Sequence, residues 1–252
     1  MLTPLRCLGL ALIVLTGCAT DISAVEKKPK LTPQNLVLTP SNGGELVAAH
    51  TLRPGDIVLT ADNGLRSAGI RLATLSPVSH AAIYMGQDQV AEAVGEGIRL
   101  RSMPDLLNEE VTVVAFRHPQ VNGQHIAKMD QFVQAHLGQK YNYVGIMLQA
   151  PFTIERRFCE LPLVPTPIRD FCLRGVAAIQ LGLGRNDQFF CSQFVLEAFK
   201  RADLPLTDAD PRMMNPGDLM HMREGDVPSV ISHQPLQYVG HLKAPPTTAA
   251  PG

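Results

Sequence analysis

The chain has 252 residues, 45% apolar and 18% charged, enough to build one sizeable core and too apolar for a disordered protein. Its 22 Lys+Arg against 23 Asp+Glu leave a formal net charge of -1, without the basic surplus on which nucleic-acid binding depends. With 20 Gly, 20 Pro, no Trp and no apolar run near the ~20 residues of a membrane-spanning helix, the composition fits a loop-rich α+β domain rather than a helical bundle.

The N-terminus has the build of an export signal. Residues 1–6 carry one positive charge, residues 7–15 (CLGLALIVL) are apolar, and the run ends in Leu15-Thr16-Gly17-Cys18. Small residues before a cysteine at this place resemble the lipobox of bacterial lipoproteins. The resemblance implies cleavage before Cys18, a diacylglycerol thioether on its sulfur and an acylated amine. With Ala19 rather than Asp next, it implies an outer-membrane destination facing the periplasm. The division that follows is a signal peptide over residues 1–17 and a lipidated Cys18 with a polar, Pro-punctuated tether over 18–42. A single domain over 43–243 and a tail of disordered composition over 244–252 (APPTTAAPG) complete it.

Within the domain, residues 56–61 (DIVLTA) follow the turn Arg53-Pro54-Gly55 and predict a strand, and 65–75 predict a helix stopped before Pro77. Residues 79–85, 89–94 and 98–102 are short alternating runs separated by 86–88 and 95–97, the pattern of two consecutive hairpins. A strand over 111–117 follows. Next comes an amphipathic helix over 122–137, with Ile126, Met129, Phe132 and Val133 on one face and Gly138 as its stop. A second apolar helical face appears around 188–202 and a last strand over 237–242. Strands first and helices later predict an α+β domain with an antiparallel sheet packed on helices.

The cysteines sort by role. Cys7 leaves with the signal and Cys18 is the lipid site. In an oxidising compartment Cys159 and Cys172 read as a disulfide closing a short loop, worth about 3 kcal/mol by chain entropy, the other reading being two buried thiols. Cys191 is then unpaired. No CxxC or HExxH is present, so no metal site is expected.

Cys191, in FFCSQFV, stands at a helix start, where unpaired N–H groups and the positive dipole end stabilise a thiolate; a buried free cysteine is equally an ordinary small hydrophobe. A nucleophile needs a base within reach and a group to orient that base. Among the histidines, His50 and His241 lie near the chain ends. His118, His125, His136 and His233 read as solvated, and His221 as a core histidine. His80 starts a strand, and with a three-residue turn at 86–88 Ala82 pairs with Glu92, which puts His80 and Glu92 on one face, a diagonal step apart. A two-residue turn would send Glu92 to the other face. Asp56 and Asp218 each follow a Pro-Gly turn and read as structural caps.

SHAAIYMG, VAEAVGEG and FCSQFV, in that order, resemble the circularly permuted papain-like cysteine hydrolases of the NlpC superfamily, and within it the YaeF/YiiX-type lipoproteins. LRPGDI, YNY and the lipobox support the match, which runs from about residue 50 to 242. The resemblance implies a permuted papain-like fold, with Cys191 as nucleophile, His80 as base and Glu92 as its orienting group. Tyr141 and Tyr143 are candidates for an oxyanion donor or cleft lining. It implies a lipid-anchored cell-envelope peptidase or amidase. A thioesterase or acyltransferase on lipid or lipoprotein acyl groups is the alternative enzyme, and a non-catalytic binding module the alternative of another class. No metal or organic cofactor is implied. The partners are the membrane, through the lipid, and a peptide or acyl substrate; nucleic acid is not among them, and a monomer is expected.

Overall fold

The computed structural model describes residues 20–25, 28–37, 45–74, 76–138, 159–160, 164–181 and 191–244. In chain order these form β1 (Thr20–Val25), β2 (Lys28–Pro33), β3 (Ile57–Ala61), α1 (Leu65–Thr74), β4 (His80–Gly86), β5 (Gln89–Val94) and β6 (Gly97–Ser102). They continue with α2 (Met103–Glu109), β7 (Thr112–Arg117), α3 (Gly123–His136), α4 (Thr166–Leu181), α5 (Cys191–Arg201), α6 (Pro216–His221) and β8 (Gln237–Lys243). The result is an α+β domain around a six-stranded antiparallel sheet of order β6-β5-β4-β3-β7-β8.

The sheet is covered on both sides, which explains why β3 reads as the continuous run IVLTA: all five residues are buried. Ile57, Leu59, Ala81, Ile83, Ala91, Val114 and Phe116 face one layer, made by Met129, Phe132 and Val133 of α3 and Phe194, Val195, Ala198 and Phe199 of α5. Val58, Ala82, Tyr84, Val90, Val113 and Ala115 face the other, closed by Leu52 and by Met103 and Leu106 of α2. The turn before β3 requires glycine. Gly55 has φ +88°, and a Cβ there would stand 2.7 Å from Ile126 Cδ1. Asp56, buried, accepts the Arg53 N–H at 2.8 Å and both Arg117 donors at 2.6 and 2.7 Å, clamping that turn to β7. Asn215 and Asp218 form a reciprocal capping box at the start of α6. Both aspartates thus act as the structural caps expected of them.

The tether expected over residues 18–42 is not a free linker where it is described. β1 and β2 pair antiparallel from Thr20↔Pro33 to Val25↔Lys28. Buried Arg169 of α4 donates to the Thr20 carbonyl, Gln34 Nε2 donates to Val227 O at 2.9 Å, and Arg223 Nη2 donates to Asn35 O at 2.8 Å. The polar, Pro-rich composition that suggested a tether also suits a hairpin whose backbone groups are satisfied by the body.

Cys159 and Cys172 are joined by a disulfide, with Cα atoms 5.6 Å apart, and Cys191 is free. The bridge ties α4 to the core beside Leu173. One expectation for histidine fails: His118, expected in solvent, is buried against Phe199. His241, near the chain end, is also buried, with its Nδ1 on Tyr238 Oη at 2.6 Å. His221 is the core histidine expected, its Nδ1 2.9 Å from Asp226 Oδ2.

Candidate active site

Three elements converge at one end of β4. α5 packs against β4 and β5 through the apolar face of Phe194, Val195 and Ala198, which sets its first turn, with Cys191, beside the start of β4. That turn is fixed laterally by the Ser192 hydroxyl, which donates to the Met214 carbonyl just before α6. His80 opens β4 opposite Thr60 of β3, and its side chain is hydrogen-bonded to Cys191 on one side and Glu92 on the other. Nε2 of His80 lies 2.9 Å from Glu92 Oε2, which leaves Nδ1 for the thiol.

The hairpin that delivers Glu92 differs from the expected one. Its turn is two residues, Gln87 and Asp88, with φ of 51° and 53°, the left-handed pair of a type I′ turn. A two-residue turn alone would send Glu92 to the far face. The pairing instead skips Met85, running Gly86↔Gln89, Tyr84↔Val90 and Ala82↔Glu92. This bulge absorbs one residue and restores the alternation, so Ala82 still opposes Glu92.

Glu92 is fully buried and does not stand with His80 alone. Arg99, directly opposite on β6, donates from Nε to Oε1 at 2.8 Å, and Arg101 Nη1 stands 3.8 Å from Oε2. Arg101, itself buried, goes on to the Asp105 carbonyl and to Glu109 and Glu110. A line of alternating charge therefore runs His80–Glu92–Arg101–Glu110 across the sheet. Burial raises Glu110 above the ordinary carboxyl range, against the opposing pull of His80 and Arg101.

The electrostatics favour charge on all three central groups. Burial by itself would lower His80, but hydrogen bonds to Cys191 and Glu92 and their negative charges outweigh it, raising the imidazole from 6.5 to about 10. Burial pushes the Cys191 thiol up; the His80 hydrogen bond and charge, with the Ala81 and Ser192 backbone N–H groups, more than reverse this and hold it below its ordinary value. Glu92 is raised by burial but brought from 4.5 to about 2 by His80, Arg99 and Arg101. These interactions favour the thiolate–imidazolium form of the pair over two neutral groups. His80 keeps 18% of its side chain exposed and Cys191 is 6% exposed, so the pair meets solvent at one edge.

No family model matches the chain. It is 35% identical over 244 residues, 92% of this chain and 89% of the other, to the Escherichia coli K12 protein named "Probable lipoprotein peptidase YaeF". The chain belongs to the YaeF family. A crystal structure titled "metalloprotein yiiX", from Escherichia coli O157:H7, overlays with a TM-score of 0.44 at 16% identity, over 75% of this chain and 96% of that one. Among the described residues of this YaeF-family chain, no three His, Cys, Asp or Glu side chains are grouped as metal ligands would be.

Of the candidates named from sequence, Cys191, His80 and Glu92 are brought together, and Cys159 and Cys172 are bonded. Cys18, Tyr141 and Tyr143 lie outside the described residues. The sequence reading missed Arg99 and Arg101. A signal for Arg99 was present: a two-residue turn at Gly95-Glu96 pairs Val94 with Gly97 and hence Glu92 with Arg99.

Proposed function

We propose that the protein is a lipid-anchored cell-envelope cysteine hydrolase of the permuted papain-like kind, acting on an amide bond with Cys191, His80 and Glu92. The observation that carries this reading is the free thiol at the start of α5, paired with an imidazole that a buried carboxylate holds from behind. The order His80 before Cys191 is that of the permuted group, and the printed name of the Escherichia coli relative supports the peptidase assignment and the envelope location.

In the proposed cycle the Cys191 thiolate attacks the substrate carbonyl carbon, and the C–O π pair moves to oxygen. The Cys191 backbone N–H, at the helix start, donates to that oxyanion. His80 then gives its Nδ1 proton to the leaving nitrogen as the C–N bond breaks, leaving a thioester and a neutral imidazole. A water molecule loses a proton to His80 and adds as hydroxide to the thioester carbonyl. Collapse of this second intermediate expels the thiolate, releases the acid and regenerates the ion pair. Glu92, fixed by Arg99, holds the ring orientation and offsets its positive charge throughout.

Alkylation of Cys191 by iodoacetamide at neutral pH tests the reading. It should proceed well below the ordinary thiol range near pH ~8.5 and slow strongly in His80→Ala, which removes the cation beside the thiolate. Equal rates in the two proteins would reduce Cys191 to an accessible thiol and refute the hydrolase assignment.

A further inference from the structure

Among the described residues, the stretch of the N-terminal segment nearest Cys18 is held against the body at Thr20 and Asp21. Arg169, with no exposed surface, donates Nη1 to Pro228 O at 2.9 Å and Nη2 to both Val164 O and the Thr20 carbonyl. The Thr166 N–H, in the first turn of α4, reaches Asp21 Oδ1 at 3.4 Å. Thr20 is itself buried, so the chain is held against the first turns of α4 at this residue. Cys18 is two residues upstream, a reach of at most ~7 Å in full extension.

The same turns of α4 expose two large apolar side chains. Ile168 is 60% and Phe171 79% exposed, and residues three apart share a helix face. Scattered apolar residues on a surface need no explanation, but these two stand within about two helical turns of a point where a diacylglyceryl group must enter a bilayer.

We propose that the Ile168–Phe171 stripe of α4 rests in the lipid interface, so that the lipid on Cys18 seats the domain on one defined face. The inference rests on the lipoprotein reading of Cys18. The occupant is a lipid surface because Cys18 is only two residues from Thr20, which is fixed on α4, so a lipid on its sulfur brings the bilayer to the neighbourhood of this helix. Apolar side chains at that depth bury into the boundary between headgroups and acyl chains.

The natural chain contains no tryptophan, so a single introduced indole is a clean probe. The lipidated full-length protein is placed in vesicles of phosphatidylethanolamine and phosphatidylglycerol with brominated acyl chains. Phe171→Trp is compared with Leu72→Trp, equally exposed on α1, a helix that Ser67 ties to Ser79 before β4. Emission of Phe171→Trp should be blue-shifted and quenched several-fold more than that of Leu72→Trp. Protein that floats with the vesicles while Phe171→Trp stays unquenched, or while both tryptophans are quenched alike, overturns the docked face and leaves the anchor standing. Protein that does not float overturns the lipoprotein reading and the proposal with it. A concentration-dependent blue shift of Phe171→Trp in vesicle-free Cys18→Ala protein would assign the stripe to a second copy of the chain and also overturn it.

Discussion

Replacing Glu92 with Gln keeps the shape of the side chain and removes its charge. The amide oxygen still accepts from His80 Nε2, but its NH2 then faces the Arg99 guanidinium, a donor against a donor, and Arg101 loses part of its compensation. A hydrogen bond to a charged group is worth about 1.5–3 kcal/mol, and each 1.36 kcal/mol moves a pKa by about one unit. His80 should therefore fall by about 1–2 units from about 10, and the Cys191 thiol, deprived of part of its cation, should rise. The signs set the window: the thiolate exists above the lowered Cys191 value and the imidazolium below the raised His80 value, so the ion pair spans the interval between them and the variant narrows it from both ends. Stability shifts separately. A carboxyl brought from 4.5 to about 2 by folding contributes about 3 kcal/mol above pH 4.5, lost as the pH falls through the folded value; the variant lacks that acid-sensitive share. The assay is the rate of Cys191 alkylation against pH, read beside denaturant midpoints at neutral and acid pH. Superimposable alkylation profiles for wild type and variant would refute the claim that Glu92 sets the charge of the pair.

Other perturbations have equally definite outcomes. Asp56→Ala strands Arg117 and uncaps the turn before β3, and should cost about 3 kcal/mol by denaturant titration. Replacing Cys159 and Cys172 by Ser together should lower stability by about 3 kcal/mol, given a sequence separation of 13, and should abolish the effect of reductant on the melting temperature. Cys18→Ala should leave the protein absent from washed membranes, which fractionation and immunoblotting would show.

How much of this was legible in the sequence depended on how local the cause was. β4, β5 and β6 announce themselves by period-two alternation between glycine-bearing turns, and that alternation, with a three-residue turn at 86–88, suggested the His80–Glu92 face. The reasoning reached the right pairing through the wrong turn, because a bulge leaves no mark in composition. α2 begins with a Ser102 cap and a proline but runs only Met103–Glu109, too short for a helical period to show. The prolines before α4 read as a loop, although Pro near the first turn is a helix-start signal as well. The N-terminal hairpin was the least legible. The partners that hold it, Arg169, Arg223 and Val227, lie 149 to 193 residues away, and no local pattern encodes contacts at that range. Arg101 belongs to the same class of miss, an arginine whose role appears only when three strands are laid side by side.

The skipped Met85 also bears on how such sites are searched for. His80 and Glu92 are 12 positions apart, yet that spacing has no chemical meaning, since it includes one residue that takes no part in the ladder. A chain without Met85 would still set Ala82 opposite Glu92, with the imidazole and carboxylate one position closer in the alignment and unchanged in space. A search template written as a fixed interval between histidine and acid would discard that chain, whereas one written in terms of ladder partners would keep it. For this hairpin a gap of one column is silent, and a substitution that moves the bulge without changing the chain length is the event that would dismantle the site.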